Sequence, residues 1–529
     1  MKTLFTIALI ISLWSIANAN TIYVDDSNIT GIENGTIEYP FNTIEEGLAV
    51  ANAGDTVYIF TGSYNPSGQQ LYIENGIALQ GEDSSTVFIN SNIICNESSL
   101  TQPTGIYNLS CSLVNLYMPS GSSSFIIRGN ILDSIDISTG SGFTFLIQNN
   151  ILNAGIKDAS GDNYIIISGN TIVNGKIVDA SGGSGTGETE FIENNFINFT
   201  ATGNPDEDIA VEARSFSVTI RNNIINCTGP ASGIRLTSGN PTNVIGNTIT
   251  LNNGILLPET IAIENSSTYG VVTDNIIRGG YIGYYSSSGA FLFENNTISE
   301  SHTGFTSKGY EEVKNNTITN CTGDGMILNG LRGPISRNII KDNDSAGIRL
   351  LRPVDIGGGN WNGEGNNIIR NNGFYDLVID YIPQQPETIY VMYNGWDHIT
   401  LPEILQYDIF NEGGSQNIII NLEGFYTALE DEERQPTEFR LYQNYPNPFN
   451  PTTKLSFVIG HSSFVSLKVY NVLGNEVATL VDEYKPAGSY EVEFNAVGTS
   501  RDLSLTSGIY FYQLRAGSFI QTKKMILIK

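Results

Sequence analysis

The sequence predicts an all-β chain, a long solenoid of stacked coils followed by a small β-sandwich. Three observations predict it. An Asn-x-[Ile/Leu] phrase recurs along the chain at intervals of 20 to 29 residues. Charged residues make up only 15% while Gly numbers 55, and Gly and the abundant Asn both form helices poorly. The phrase stops at an acidic, Pro-ended run, Glu430 to Pro436, beyond which alternating apolar residues take over.

The repeat carries the first prediction. Its Asn residues are Asn130, Asn150, Asn170, Asn195, Asn223, Asn247, Asn275, Asn296, Asn316, Asn338 and Asn367. Two residues after each stands Ile or Leu, from Leu132 to Ile369. Three residues before each stands Ile, Val or Phe, except before Asn367, where Glu364 breaks the rule. A second short strand follows in many repeats, as in Gly233-Ile234-Arg235-Leu236 and Gly347-Ile348-Arg349-Leu350. Apolar residues alternate there at the period of a strand with one buried face. Coils of such strands stack at about 4.8 Å in parallel register, which places Ile298 beside Ile318. The repeated Asn can then form an amide ladder along the axis, donating and accepting in turn. Leucine-rich repeats share the period but need Leu-dominated units and a helical segment, whereas Ile dominates here.

Length and charge bound the function. A chain of 529 residues with 40% hydrophobic residues can bury a large core. The net charge is 26 − 54 = −28, which excludes nucleic acid and an anionic bilayer as partners. Residues 1–19 read as a secretory signal peptide: Lys2, an apolar run from Leu4 to Ile16, then Ala17-Asn18-Ala19 with cleavage after Ala19. No later stretch approaches a membrane-spanning length in the mature chain. The cysteines, Cys95, Cys111, Cys227 and Cys321, form no C-x-x-C pair. Cys227 and Cys321 fall four coils apart, too far for a disulfide, while pairing of Cys95 with Cys111 stays open.

Over residues 20–426 these repeats resemble the right-handed parallel β-helix of the pectin-lyase-like superfamily. The N-terminal part is similar to that family's cap: Tyr39-Pro40-Phe41-Asn42-Thr43-Ile44, Ala53-Gly54-Asp55-Thr56-Val57 and Gly62-Ser63-Tyr64. Thr43 and Glu46 form a capping box for a short helix that would cover the open end of the stack. Tyr393-Asn394-Gly395-Trp396 resembles a closing coil.

Residues 427–436 read as a solvated linker, and 437–529 as a separate module. Val465, Leu467 and Val469 alternate, as do Tyr490, Val492 and Phe494, which suggests a small Ig-like sandwich. Four phrases run in order: Leu441 to Thr453, Val469 to Val477, Ser507 to Tyr512, and Lys523 to Lys529. Together they resemble the type A C-terminal sorting domain of the type IX secretion system. That resemblance implies a Gram-negative source, export across the outer membrane to the surface or medium, and the secretion machinery as a partner.

No complete catalytic motif is present. The repeat strands hold no Asp-Asp pair and no Gly-His-Gly, and there is no Gly-x-Ser-x-Gly elbow. Trp396-Asp397-His398 lies in the closing coil, away from any expected catalytic position. Outward positions of the second strand, read coil by coil from each Gly, give Lys157, Glu212, Arg235, Leu256, Tyr285, Thr306, Ile327, Arg349 and Tyr375. Arg235, Tyr285, Arg349 and Tyr375 form a candidate carbohydrate-binding strip, since Tyr stacks on sugar faces and Arg grips carboxylates. The bland alternative is a surface ladder of cross-strand pairs. Glu212 and Arg214 share one face and form a candidate ion or acid/base cluster, or a salt-bridged loop. Trp361, in the Gly-rich insertion Asp355 to Glu364, would favour ligand binding as an exposed loop Trp, and the alternative is a structural turn. No cofactor is expected, with Ca²⁺ at Glu212 the one allowance. The expectation is an exported β-helix protein that binds polysaccharide or adheres. The alternatives are an extracellular lyase on an acidic glycan and a non-catalytic structural protein.

Overall fold

A computed structural model describes residues 19–529, apart from residues 75, 97–101, 119–122, 160–162, 180–189, 205, 215–216, 238–241, 253–259, 267–268, 288, 360–362, 412–416, 428–438, 445, 461–462, 472–473, 486–487, 497–504, 518 and 528–529. The signal-peptide segment, Trp361 and most of the acidic linker fall outside the described residues. The chain divides into two units, residues 1–243 with 247–270, and residues 244–246 with 271–529.

Both units contain parallel β-helix coils. In the second unit one coil supplies the strands Ala290–Glu294, Thr297–Ser299 and Thr303–Ser307. These pair in parallel with Glu312–Lys314, Thr317–Thr319 and Met326–Leu328 of the next coil. Ile298 registers with Ile318, as the repeat predicts. The alternating residues point inward: Phe293, Ile298, Phe305, Val313, Ile318 and Met326 are all fully buried. Tyr284 and Phe305 stack inside the coil with ring centroids 5.2 Å apart. The first unit is built the same way, for example with Ile131–Thr139 between Ser110–Met118 and Ile151–Asp158.

The Asn ladder forms in each unit. Each Nδ2 from Asn130 to Asn223 donates to the next Asn Oδ1, ending on Asn247, at 2.9–3.0 Å. A second run, from Asn275 to Asn394, does the same at 2.8–3.0 Å. The backbone N–H of each rung shares the same acceptor, as Asn296 N–H does on Asn316 Oδ1 at 2.8 Å. The other amide hydrogen reaches back to a strand carbonyl, such as Phe293 for Asn316 at 2.9 Å. Asn394 extends the ladder into the closing coil although no Ile follows it there. The residue before each rung takes a left-handed backbone. It is usually Gly or Asn, but Arg337 (φ 57°) and Tyr393 (φ 58°) occupy it too. The Glu364 irregularity has a local cause: the insertion supplies Ile356, buried, whose carbonyl accepts from Asn367 Nδ2 at 2.9 Å.

Near the N-terminus a helix spans Ile44–Val50. Glu46 N–H donates to Thr43 Oγ1 at 3.3 Å, and Thr43 Oγ1 donates to Glu46 Oε2 at 2.6 Å. Gly47 lets it lie close to the strands, since a Cβ there would stand 2.8 Å from Val24 Cγ2. All four cysteines are free thiols, and Cys95, Cys227 and Cys321 are buried.

Beyond the linker the strands are antiparallel. Arg440–Leu441, Thr452–Ile459 and Gly488–Asn495 form one sheet. Ser463–Asn471, Glu476–Lys485, Gly508–Ala516 and Phe519–Leu527 form another. Leu455, Phe457, Val465, Leu467, Val469, Tyr512 and Leu514 belong to one buried cluster. The opening phrase is tied to the closing strand: Ile526 N–H donates to Asn447 Oδ1 at 2.9 Å, and Gln443 Nε2 to Lys524 O at 2.8 Å. Among the described residues no helix is long and apolar enough to cross a membrane.

One rung neighbour gives a stability prediction. Asp274 takes the left-handed position (φ 60°) that Asn fills in several other coils. Its Oδ1 is buried without a hydrogen-bond partner. Burial, with Glu294 nearby, pushes its carboxyl up from 3.8 to about 6, against hydrogen bonds from Asn295 and Thr273. The folded value lies above the unfolded one, so the cost is absent below about pH 4 and complete above about pH 6. Asp274→Asn should therefore stabilise the protein at pH 8 by about 1–2 kcal/mol, allowing for solvent screening, and by little at pH 4. Urea unfolding at both pH values measures it, and equal stability of the two proteins at pH 8 contradicts it.

Candidate functional site

The outward row of the second strand can be followed through the first unit by register. It runs Tyr72, Ile94, Asn115, Asp136, Lys157, Val178, Glu212, Arg235, Glu264. Strand alternation fixes its direction, because the preceding residues, Leu71, Ile93, Val114, Ile135 and Ile156 among them, are buried. Lys157, Glu212 and Arg235 stand in this row as the sequence predicts. Leu256 lies outside the described residues, and Glu264 fills the position beside Arg235. That strand carries Ala262 where the preceding coil has Gly233.

The second unit holds its own row: Tyr285, Thr306, Ile327, Arg349, Val378, Phe410. Tyr285 and Arg349 stand in it, but Tyr375 does not. Arg349 registers with Val378, because Asp376 and not Gly373 precedes that strand. Tyr375 instead stacks on Phe410, with centroids 5.0 Å apart, and meets Phe374 edge-on.

The arginines of both rows are bound to carboxylates. Arg235 Nε donates to Glu264 Oε2 at 2.6 Å, and its Nη1 to the Asp206 carbonyl at 3.0 Å. Arg349 donates Nε to Asp324 Oδ2 at 2.7 Å and Nη2 to Oδ1 at 3.3 Å, with Asp380 at 3.5 Å. Burial would raise Asp324, but hydrogen bonds from Arg349, Ser345 and the Ala346 N–H hold its carboxyl below the usual range. Arg214 donates Nε and Nη2 to Glu212 Oε1 at 2.9 and 2.7 Å, so this cluster is an ion pair. These pairs join neighbouring coils or brace one strand, the cross-strand ladder that the sequence allows as the alternative.

A different part of the first row is open. A cleft of about 410 Å³ is lined by Gln70, Tyr72, Asn115, Tyr117, Asp136 and Lys157, with Ile94, Asn96, Ile137, Ser138 and Ala159. Tyr72 and Tyr117 are 55% and 56% exposed, so each ring offers more than half of its surface to a ligand. Tyr72 Oη donates to Gln70 Oε1 at 2.6 Å, which fixes the ring's edge. Two coil steps and two residues separate the tyrosines, roughly 12 Å. Of these residues, the sequence points only to Lys157. In the coil before Asn130 the rung position is held by Leu109, so the Asn alignment stops short of these coils. The alternation in Val114-Asn115-Leu116-Tyr117-Met118 is the signal that could have found Tyr117.

Two parts of the chain match known families. Residues 259–396 match the family described as right handed beta helix region. Residues 443–529 match the secretion system C-terminal sorting domain. This is a right-handed β-helix protein with a type IX sorting domain. The sorting domain directs export by type IX secretion to the cell surface or extracellular space. No curated protein matches the chain. Among solved structures the β-helix protein is similar to the A-module of mannuronan C-5 epimerase AlgE6 from Azotobacter vinelandii. The identity is 13% and the TM-score 0.21, over 72% of this chain and 92% of that one. It is also similar to a mutant tailspike protein of E. coli bacteriophage HK620, in complex with a pentasaccharide. There the identity is 10% and the TM-score 0.22, over 90% of this chain and 86% of that one.

Proposed function

We propose that this exported β-helix protein binds an extended polysaccharide of low charge in the Tyr72–Tyr117 cleft. The observation that carries this reading is the pair of half-open tyrosine rings on strands two coils apart, flanked by amides. Rings held on strands stack on apolar sugar faces at small entropic cost. Gln70, Asn96 and Asn115 can donate to and accept from hydroxyls. Asp136 and Lys157 stand side by side in register, so their charges offset, and the chain's net −28 opposes a polyanion. Repetition of contacts along one row suits a linear polymer. Glu212, the acid that a lyase reading needs as a base, is engaged by Arg214 instead.

Affinity electrophoresis against neutral and acidic polysaccharides tests the reading. Binding of a neutral glycan is expected, weakened about tenfold by Tyr117→Ala, a loss of about 1.4 kcal/mol. Absence of binding to every glycan overturns it. Products with unsaturated, ultraviolet-absorbing ends would assign a lyase in its place.

A further inference from the structure

The last coils of the second unit hold a cluster that polysaccharide binding does not use. In the Gly-led strands, Gly283, Gly304, Gly325 and Gly347 occupy equivalent positions, one residue before buried apolar residues. A Cβ at Gly304 would stand 2.4 Å from Ile318 Cγ2 and 2.6 Å from the Gly325 carbonyl, so the row has no room for a side chain. In the next two coils the row continues as Asp376 and Asp408, one residue before the paired strands Leu377–Ile379 and Ile409–Asn411. A helical turn over residues 401–408 delivers Asp408. Asp397 comes from the coil that pairs Gly395 with Ile368, and its Oδ2 accepts the Asn371 N–H at 2.7 Å.

Each of the three carboxylates brings one oxygen within 4.8 Å of the other two. Asp376 and Asp408 are each 2% exposed. Asp376 Oδ1 accepts from Asn372 Nδ2 at 2.8 Å, but Oδ2 is buried with no hydrogen-bond partner. Three buried or half-buried carboxylates this close repel one another strongly. His398 compensates one of them, its Nδ1 lying 2.6 Å from Asp408 Oδ1 and its N–H 3.1 Å from Oδ2.

We propose that Asp376, Asp397 and Asp408 bind a divalent cation of the Ca²⁺ class, which ties the final coils together. The spacing fits, because Ca–O bonds of about 2.3–2.6 Å put two ligands of one ion at most about 5 Å apart. All-oxygen donors favour Ca²⁺ over softer metals. The partly exposed Asp397 leaves a side open for the waters that complete the ion's six to eight ligands. Burial and the neighbouring Asp397 push the Asp376 carboxyl well up. The inference is independent of the Tyr72–Tyr117 cleft, whose residues lie in the other unit.

Thermal unfolding of the whole chain in Ca²⁺ and in EGTA tests it, together with Tb³⁺ luminescence excited through Trp396, which neighbours Asp397. Expected are a higher Tm in Ca²⁺, a Tb³⁺ signal displaced by Ca²⁺, and a loss of at least a hundredfold in Tb³⁺ affinity in Asp376→Asn. Asp397→Asn, at a partly exposed site, should fold normally and weaken the ion at least tenfold. The same Tm in Ca²⁺ and EGTA, with Asp376→Asn more stable than wild type in both, would assign a shared proton and overturn the metal site.

Discussion

Asn316→Ala is expected to destabilise the β-helix by about 3–5 kcal/mol. Asn316 is 1% exposed and sits inside the ladder. Its Oδ1 accepts from the Asn296 N–H at 2.8 Å and from Asn296 Nδ2 at 3.0 Å. Its Nδ2 donates to Asn338 Oδ1 and to the Phe293 carbonyl, each at 2.9 Å. Truncation leaves the Asn296 N–H and the Phe293 carbonyl buried and unmatched. Each such orphan costs about 1–3 kcal/mol. Coils touch mainly their neighbours, so the damage should be local before it is global. Hydrogen exchange checks this: amides of residues 293–299 and 313–319 should lose protection, while those of the C-terminal sandwich keep theirs. Unchanged exchange in both coils would mean that the ladder contributes little to stability.

Removal of residues 437–529 is expected to abolish appearance of the protein outside the cell, while the β-helix still folds. The strands of the sorting domain pair with one another in its two sheets, so the β-helix coils lose no sheet partner. Its opening phrase is held against its last strand through Asn447, Gln443 and Phe449, so recognition elements at both ends of the module sit on one folded body. Fractionation of cells carrying the truncated gene should find the protein in the periplasm, protease-resistant. Efficient display of the truncated chain at the surface would contradict a sorting role.

Most of the β-helix was legible because one residue type does one job. A buried amide that must bond upward and downward can only be Asn or a close analogue, so the ladder writes itself into the sequence. The Gly-led strand was less legible. Its glycine answers a steric limit, and where the next coil gives way the limit relaxes to Ala262 or Asp376. Counting from the nearest Gly in the last coils then lands on Tyr375, which does not stand in the row. The ion pairs were illegible for another reason. Arg349 finds Asp324 and Asp380 at 25 and 31 residues' distance, which only the stacking of coils reveals. The acidic cluster joins two adjacent coils in the same way, and Asp397-His398 alone gave no hint of Asp376 or Asp408.

We propose polysaccharide binding in the Tyr72–Tyr117 cleft and a structural role for Arg235 and Arg349 of the outward rows. Measuring glycan affinity and urea stability side by side for Tyr117→Ala and Arg349→Ala tests that division most directly. Tyr117→Ala should lose about tenfold in affinity with stability nearly unchanged, since its ring is more than half exposed. Arg349→Ala should keep its affinity and lose about 2 kcal/mol of stability, because Asp324 is left without its bidentate partner. The reverse pattern, affinity lost with Arg349 and kept without Tyr117, would contradict the account.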